Sequence, residues 1–481
     1  MFHRSRRQFL EDSMLTTAAA AAASVLPEFT DADEAPAKSA NETIHHAVIG
    51  CRIRGRVHAK EFASKLGVEV TYVCDPDRDL AEELAESVEK QQGRRPKAVQ
   101  DLRAVFDDKS VNTVSVATPN HWHALAAIWA MQAGKDVYVE KPVSHNVSEG
   151  RRMVQVSRKT GRICQGGTQY RSSGANAAAV DYMRQGKLGE VKLARSIVYG
   201  GRGSIGALGK YEVPASVDYN LFLGPAPYVP LSRPRLHYDW HWVWDTGNGE
   251  IGNNNVHSLD ICRWGLGVTG LGKAVISYGG RLGYSDAGQT PNTQVCIFDF
   301  GDKTIVSETR GLKTEPYRFK GAQIFEGTQG YIAGSSLFDL DGKLVSTFEG
   351  KSENHFANFL KAVRSRRRED QNAEILEGHQ SSALCHIGNI SWRLGQAASA
   401  SDLRETLGRL KVHENVLETL DRTLDHLRTN KVDLATTPLT LGSLLEIEPG
   451  RETFKNSKRA DELLTREYRK PFVVPSESEV G

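Results

Sequence analysis

Between Ile44 and Val139, four short runs rich in valine, isoleucine and tyrosine recur, with helix-length segments between them. The runs are Ile44 to Ile49, Val68 to Cys74, Thr113 to Ala117 and Asp136 to Val139, each of strand length. The stretches Asp79 to Gln91, Asp101 to Asp107 and His121 to Ala133 read as helices, and the last closes on Gly134 as a C-cap. Strands alternating with helices leave one economical fold, a parallel sheet wound on both faces. Ligands of such sheets lie beyond the carboxyl ends of the strands. The residues that follow each run are therefore the first candidates for a site.

After the first run comes Gly50-Cys51-Arg52-Ile53-Arg54-Gly55, a dinucleotide fingerprint with Arg52 in place of its middle glycine. Gly50 makes the tight turn, and Gly55 lets helix pack on strand. Arg52 and Ile53 sit where backbone approaches a pyrophosphate at a helix N-terminus. The second run ends at Asp75, twenty-five residues after Gly50, where a carboxylate accepts both ribose hydroxyls and favours NAD over NADP. Asp75-Pro76 is also ordinary turn chemistry, and Arg78 nearby tolerates a 2′-phosphate. The third run leads into Thr118-Pro119-Asn120-His121-Trp122-His123, facing the same edge. His121 and His123 lack a third ligand, so no metal site is expected. The fourth leads into Glu140-Lys141-Pro142.

A second domain is expected from about residue 166. Gln169 and Arg171 lie in the crossover into it, and Arg171 reads equally well as a linker residue. Asn176 to Arg184 reads as a helix and Val191 to Val198 as a strand. A glycine- and proline-rich loop then runs from Gly200 to Pro234, the kind that covers sites. It opens onto Tyr238, Trp240 and Trp242, either a buried aromatic corner or a wall for stacking sugars, and the second is favoured. A glycine-rich entry and a helix put Asn253 and His257 one turn apart on one face. Asp260 either orients His257 or faces solvent. Strands at Ala274 to Tyr278, Thr293 to Phe300, Thr304 to Thr309 and Gln323 to Glu326 follow with few helices between, indicating a large, mostly antiparallel open sheet. Asn354 to Arg364 and Leu376 to Leu394 are helix candidates, the first running into an arginine cluster read as a solvated helix end.

VIGCRIRGRVH, the CDP turn, ATPNHWH and VEKP, in this order and spacing, resemble the glucose–fructose oxidoreductase/inositol dehydrogenase (Gfo/Idh/MocA) family. The resemblance implies a Rossmann NAD domain, an α+β second domain, and a sugar, cyclitol or sugar derivative as substrate. It implies that Lys141 lies beside the nicotinamide as a catalytic residue. It gives His257 the role of general acid or base in a D-x-x-x-H motif whose aspartate position here holds Asn253, able to orient a hydroxyl but not to carry a proton. It puts Gln169 and Arg171 near ribose, nicotinamide or substrate. It also implies a homodimer or homotetramer joined through the outer face of the large sheet.

Expected boundaries are 1–40 for a leader and linker, 41–165 for the nucleotide domain, 166–400 for the substrate domain and 401–481 for a helical extension. Ser5-Arg6-Arg7-Gln8-Phe9-Leu10 and the alanine run Ala18 to Ala23 match a twin-arginine signal, with Ala35-Pro36-Ala37 the expected cleavage point and the periplasm the destination. That run is too short and too weak for a stable membrane span. Lys+Arg 61 against Asp+Glu 59 leaves a net charge of +2, with no basic block for nucleic acid. The six cysteines are scattered and fit buried thiols better than metal ligands or disulfides. The chemistry implied is hydride transfer between a secondary alcohol carbon and NAD. Two rivals stand beside it: a redox-neutral NAD-dependent glycosidase or lyase, and a sugar-binding protein whose NAD site Arg52 has impaired.

Overall fold

The computed structural model describes residues 43–317, 322–455 and 457–480. The twin-arginine hexapeptide, the alanine run and the expected cleavage point lie outside the described residues. The first sheet contains β1 (Ile44–Ile49), β2 (Val68–Cys74), β3 (Lys97–Val99), β4 (Thr113–Val116), β5 (Asp136–Val139) and β6 (Cys164–Gly166). All are parallel, in the order β3-β2-β1-β4-β5-β6. That order reverses direction at β1, which brings the carboxyl ends of β1, β2, β4 and β5 to one crevice.

Helices Asn120–Gln132 and Val147–Thr160 pack on one face of this sheet. Ile53–Ala63 and Arg78–Gln92 pack on the other. A third helix on that second face, His355–Ser365, comes from far downstream. The sequence puts this segment in the second domain, yet Phe359 and Leu360 are fully buried against Phe62 and Tyr138. Burying each is worth about 2 kcal/mol. The arginines that follow are exposed, as expected of a solvated helix end, and one of them, Arg366, also pairs with Asp136 of β5 at 2.5 Å.

The second sheet has 11 strands: β7 (Val191–Tyr199), β8 (Ala274–Gly280), β9 (Thr293–Asp299), β10 (Thr304–Arg310), β11 (Gln323–Gly327), β12 (Gly330–Ala333), β13 (Ser336–Phe338), β14 (Leu344–Thr347), β15 (Gln396–Ala398), β16 (Leu439–Leu441) and β17 (Leu445–Glu446). Every pairing is antiparallel except β7 with β10. Alternate residues face opposite ways. Ala194, Val275 and Ile305 meet helices Val256–Leu266 and Ile375–Arg393, while Leu193, Ile276 and Val306 meet Leu403, Leu407, Leu420 and Leu427.

Those leucines belong to Ala400–Gly408 and Val416–Thr429, whose apolar residues recur at helical spacing. The part of the outer face formed by β7, β8, β9 and β10 is thus covered by the chain's own helices. The extension is also not purely helical, because β16 and β17 pair with β8. The final segment returns to the first domain. Leu464 accepts a hydrogen bond from the Ser148 amide (2.9 Å), and Phe472 packs on Trp122 (ring centroids 5.4 Å). All six cysteines are free and buried. Among the described residues no helix is long and apolar enough to cross a membrane.

Candidate active site

The carboxyl edge of the first sheet and one side of the second domain enclose a cavity of about 480 Å³. At its nucleotide end Gly50 has φ +92°, and a Cβ there would lie 2.6 Å from the carbonyl carbon of Ala117. The first-turn glycine lets β1 and β4 end side by side. Gly55 does not line the cavity; a Cβ on it would lie 1.7 Å from the Gly50 carbonyl oxygen, so it seats the helix on the turn. Arg52 is the N-cap residue of that helix and lines the cavity with Ile53.

Asp75 lines the same end. Its carboxylate accepts the Cys51 amide at 2.7 Å and the Asp77 amide at 2.9 Å. Burial pushes this carboxyl up from its ordinary value, and the two amides pull against that shift. Each oxygen keeps a lone pair, so two ribose hydroxyls can still be accepted. The long loop closes over this end. Val217 bridges to Asp77, the Asp218 amide donates to Pro76 (2.9 Å), and His237 meets Asp77 at 2.8 Å.

At the far end of the cavity stand Glu140 and Lys141, joined to Pro142 by a cis peptide bond. Burial opposes ionisation of Glu140, yet Arg54 (2.7 Å) and His58 (3.1 Å) hold its carboxyl well below the usual carboxylate range. Burial lowers the Lys141 ammonium, opposed by Glu140. Lys141 Nζ donates to the backbone carbonyl of Asn253 at 2.7 Å. His123 lines the cavity while its ring nitrogens face the carbonyls of Pro142 (2.6 Å) and Thr118 (2.8 Å). It ties the two strand ends together. His121 likewise meets backbone carbonyls, those of Phe222 and Thr246.

Asn253 and His257 both line the cavity, but not from one regular helix. Ile251–Asn255 is a π-helical turn that precedes the α-helix. The wider turn aims the Asn253 carbonyl at Lys141, and such bulges recur at functional sites. His257 packs against Tyr170 (5.0 Å), and its Nδ1 has no partner among the described residues. Burial, then the Lys141 charge, holds its pKa well below the ordinary value, so the ring is neutral.

Three expectations change. Asp260 neither orients His257 nor faces solvent: it is fully buried, bonded to Arg171 and to Ser381 (2.6 Å). Arg171 does not line the cavity; its guanidinium is held by Asp260 at 2.8 Å and Glu377 at 3.0 Å. A carboxylate with no exposure needs a cation at hand, and Arg171 answers it most closely, with Arg263 at 3.9 Å beside it. Trp242 also lies off the main cavity, buried with Ile205 and Ala287.

Tyr238 and Trp240 do line the cavity. Tyr238 has φ +68°, in a three-residue turn closed by the Asp239 amide on the His237 carbonyl (2.9 Å). Such a backbone costs a non-glycine residue about 1–3 kcal/mol and is typical of ligand clamps. Trp240 stacks on His241 with centroids 3.5 Å apart. Sequence reasoning missed Tyr170, Arg202, His241 and Asn254, which also line the cavity. Arg202 stands in the glycine run at the loop's start, and a lone cation there was its only signal.

Thr118 Oγ1, Asn120 Oδ1 and Gln169 Oε1 are buried, lack a partner among the described residues, and belong to residues that line the cavity, as is true of His257 Nδ1. A buried polar atom without a partner calls for an explanation, and at a cavity wall a ligand supplies one. With the cradle at Gly50, the ribose acceptor Asp75 and these atoms, the cavity fits a dinucleotide. Among the described residues no group of three or more histidine, cysteine, aspartate or glutamate side chains is placed to hold a metal ion.

Two family models match the chain. The GFO_IDH_MocA model described as "Oxidoreductase family, NAD-binding Rossmann fold" matches residues 44–168, and its companion "C-terminal alpha/beta domain" matches 199–407. Levoglucosan dehydrogenase from Pseudarthrobacter phenanthrenivorans is 25% identical over 327 residues, 65% of this chain and 75% of that protein. The α-N-acetylgalactosaminidase of Shewanella oneidensis is 26% identical over 206 residues, 40% of this chain; the match spans only 45% of that enzyme. The fold is that of the WlbA dehydrogenase from Bordetella pertussis, solved with NADH and UDP-GlcNAcA (TM-score 0.53, 19% identity, 71% of this chain and 94% of that one). It is also that of an oxidoreductase from Thermotoga maritima (TM-score 0.54, 19% identity, 72% and 97%). Both domains and the nucleotide end of the cavity thus agree: the chain belongs to the GFO/IDH/MocA oxidoreductase family and is an NAD-binding oxidoreductase.

Proposed function

We propose that the protein oxidises a secondary alcohol on a sugar, cyclitol or sugar derivative. The observation that carries this reading is the meeting of Lys141, the Asn253 carbonyl and a neutral His257 at one end of the dinucleotide cavity. His257, through a ring nitrogen, takes the proton of the substrate hydroxyl. Lys141 donates a hydrogen bond to the same oxygen and stabilises the negative charge that develops there. Asn253 orients the hydroxyl. NAD, when bound, supplies the hydride acceptor. Gly50, Arg52, Ile53, Asp75, Thr118, Pro119, Asn120, Glu140 and Gln169 are the cavity residues that would hold it. Tyr238 and Trp240 provide a stacking wall for the sugar.

A second reading, NAD-dependent glycoside cleavage with no net redox change, is supported by the galactosaminidase relative and by further relatives described as glycosyl hydrolase family 109 proteins. Protein purified without added nucleotide, then denatured, is expected to release NAD or NADH measurable by mass spectrometry. A sugar panel read for NADH absorbance and for glycoside cleavage separates the two readings. Absence of nucleotide, with no binding on adding NAD, would sink both.

The pH profile follows from His257. Its pKa in the fold lies below ordinary, so the base is neutral above that lowered value and is lost only as pH falls through it. The acid limb of kcat/KM is expected below pH ~6.5, the unperturbed histidine value. A limb above pH ~7 would exclude His257 as the base. The twin-arginine hexapeptide supports export of the folded, NAD-loaded chain to the periplasm, and fractionation of the producing cells checks it.

A further inference from the structure

Four cationic side chains line the cavity: Arg52, Arg54, Lys141 and Arg202. Arg52 sits at the helix N-terminus of the nucleotide end and acts on the buried Asp239. Arg54 is held by Glu140. Lys141 is assigned to the hydroxyl oxygen of the reacting alcohol. Among the described residues Arg202 is the only other cation at the reacting end, and it is neutralised.

Its Nη2 and Nε donate to the two oxygens of Glu250 at 2.9 and 3.1 Å, and its Nη1 donates to the Tyr238 hydroxyl at 3.1 Å. Glu250 is 3% exposed and further accepts the side-chain amides of Asn253 (3.4 Å) and Asn254. A bidentate carboxylate of this kind consumes the fork that would otherwise grip an anion. It also cancels the positive potential of Arg202, leaving Lys141 as the charge that meets the reacting oxygen. The remaining polar groups there are uncharged: Tyr170, Tyr238, Asn253, Asn254, His241 and His257. Burial pushes the His241 imidazole down to about 3, so it adds no charge. Because the Tyr238 oxygen already accepts from Arg202, its proton is left to donate into the cavity, as suits a hydroxyl of a polyol.

We infer that the reacting end selects an uncharged polyhydroxy substrate, and that Glu250, by holding Arg202, excludes sugar acids and nucleotide sugars. This inference rests on the carbohydrate-oxidoreductase reading above. Glu250 is a positioning residue for specificity, acting through Arg202.

The test uses full-length NAD-loaded protein. Uncharged pyranoses, anhydrosugars and cyclitols are compared with C6-carboxylate counterparts of the pyranoses and with UDP-glucose, by calorimetric Kd and by NADH formation. Wild type is expected to bind the uncharged member of its best pair at least about tenfold more tightly than the acid, the scale of one charge-assisted contact. E250Q, which leaves the Arg202 charge uncompensated, is expected to raise affinity for the acid and shrink or invert that ratio. The charge-balanced double variant R202Q/E250Q is expected to keep a ratio near wild type, which covers failure of the single variant to fold. Wild type binding the acid or UDP-glucose as tightly as the uncharged partner overturns the inference alone. So does a folded E250Q with an unchanged ratio. NAD-loaded protein that binds no sugar of any kind overturns the carbohydrate reading, and this inference with it.

Discussion

Lys141→Met is expected to lower kcat by about 10³-fold while NAD content stays near that of wild type. Methionine roughly preserves the length of the side chain and removes the ammonium. Two consequences follow from the geometry. The developing alkoxide loses its donor, and the Asn253 carbonyl loses the hydrogen bond that Lys141 makes at 2.7 Å. Glu140 keeps Arg54 and His58, so its own charge remains paired and the nucleotide end is left alone. KM should move much less than kcat, because the contact strengthens as charge builds on the oxygen. Steady-state kinetics at saturating NAD, beside nucleotide released on denaturation, reads both quantities. A fall of kcat of less than about tenfold would place Lys141 away from the reacting oxygen.

The nucleotide half of the molecule was legible because its chemistry is local. Gly50, Asp75, Thr118 and Lys141 each stand within two residues of a strand's end, and a parallel order of strands is enough to gather strand ends. What the sequence hid depends on partners distant in the chain. Arg171 meets Asp260 across 89 residues, and nothing in the linker between the domains announces that pair. His355–Ser365 has the same apolar periodicity whichever sheet it covers, so its return to the first domain cannot be read from its own residues. The π-turn at Ile251–Asn255 differs from a helix by one residue in its hydrogen bonding, a difference that composition does not encode. The strand Leu439–Leu441 is three residues long and exists because β8 and β15 offer it partners. Trp242 and Trp240 are two residues apart, and the turn at Tyr238, which sends one into the cavity and the other away, is set by the loop as a whole.

Gly55→Ala carries the other large effect, and its origin lies in packing. The added Cβ would sit 1.7 Å from the Gly50 carbonyl oxygen and 3.7 Å from a methyl of Val48. The first neighbour is backbone and cannot rotate aside, so helix Ile53–Ala63 must lift from the turn. That lift has a cost on both sides. Phe62 is buried at 0% exposure under the helix, between His46 (3.7 Å) and Phe356 (5.4 Å), and any displacement opens this contact. Overpacking of a filled interior typically costs about 1–3 kcal/mol, and a clash against backbone belongs at or beyond the upper end. The same movement carries Arg52 and the first helical turn away from the pyrophosphate end of the cavity, and it loosens the Cys51 amide from Asp75. NAD affinity is therefore expected to fall by at least about tenfold in chains that remain folded, since 1.4 kcal/mol is a tenfold change. Denaturant midpoints and nucleotide titration, run together, separate the two losses. The comparison with Gly93→Ala, at the C-cap of helix Arg78–Gln92, is informative, because no described atom lies within 4 Å of a Cβ there. There the strain comes only from φ +77°, so stability should drop modestly and NAD binding should not change. Equal behaviour of the two variants would mean that Gly55 acts through backbone freedom alone and that the contact between helix and turn does not set the nucleotide site.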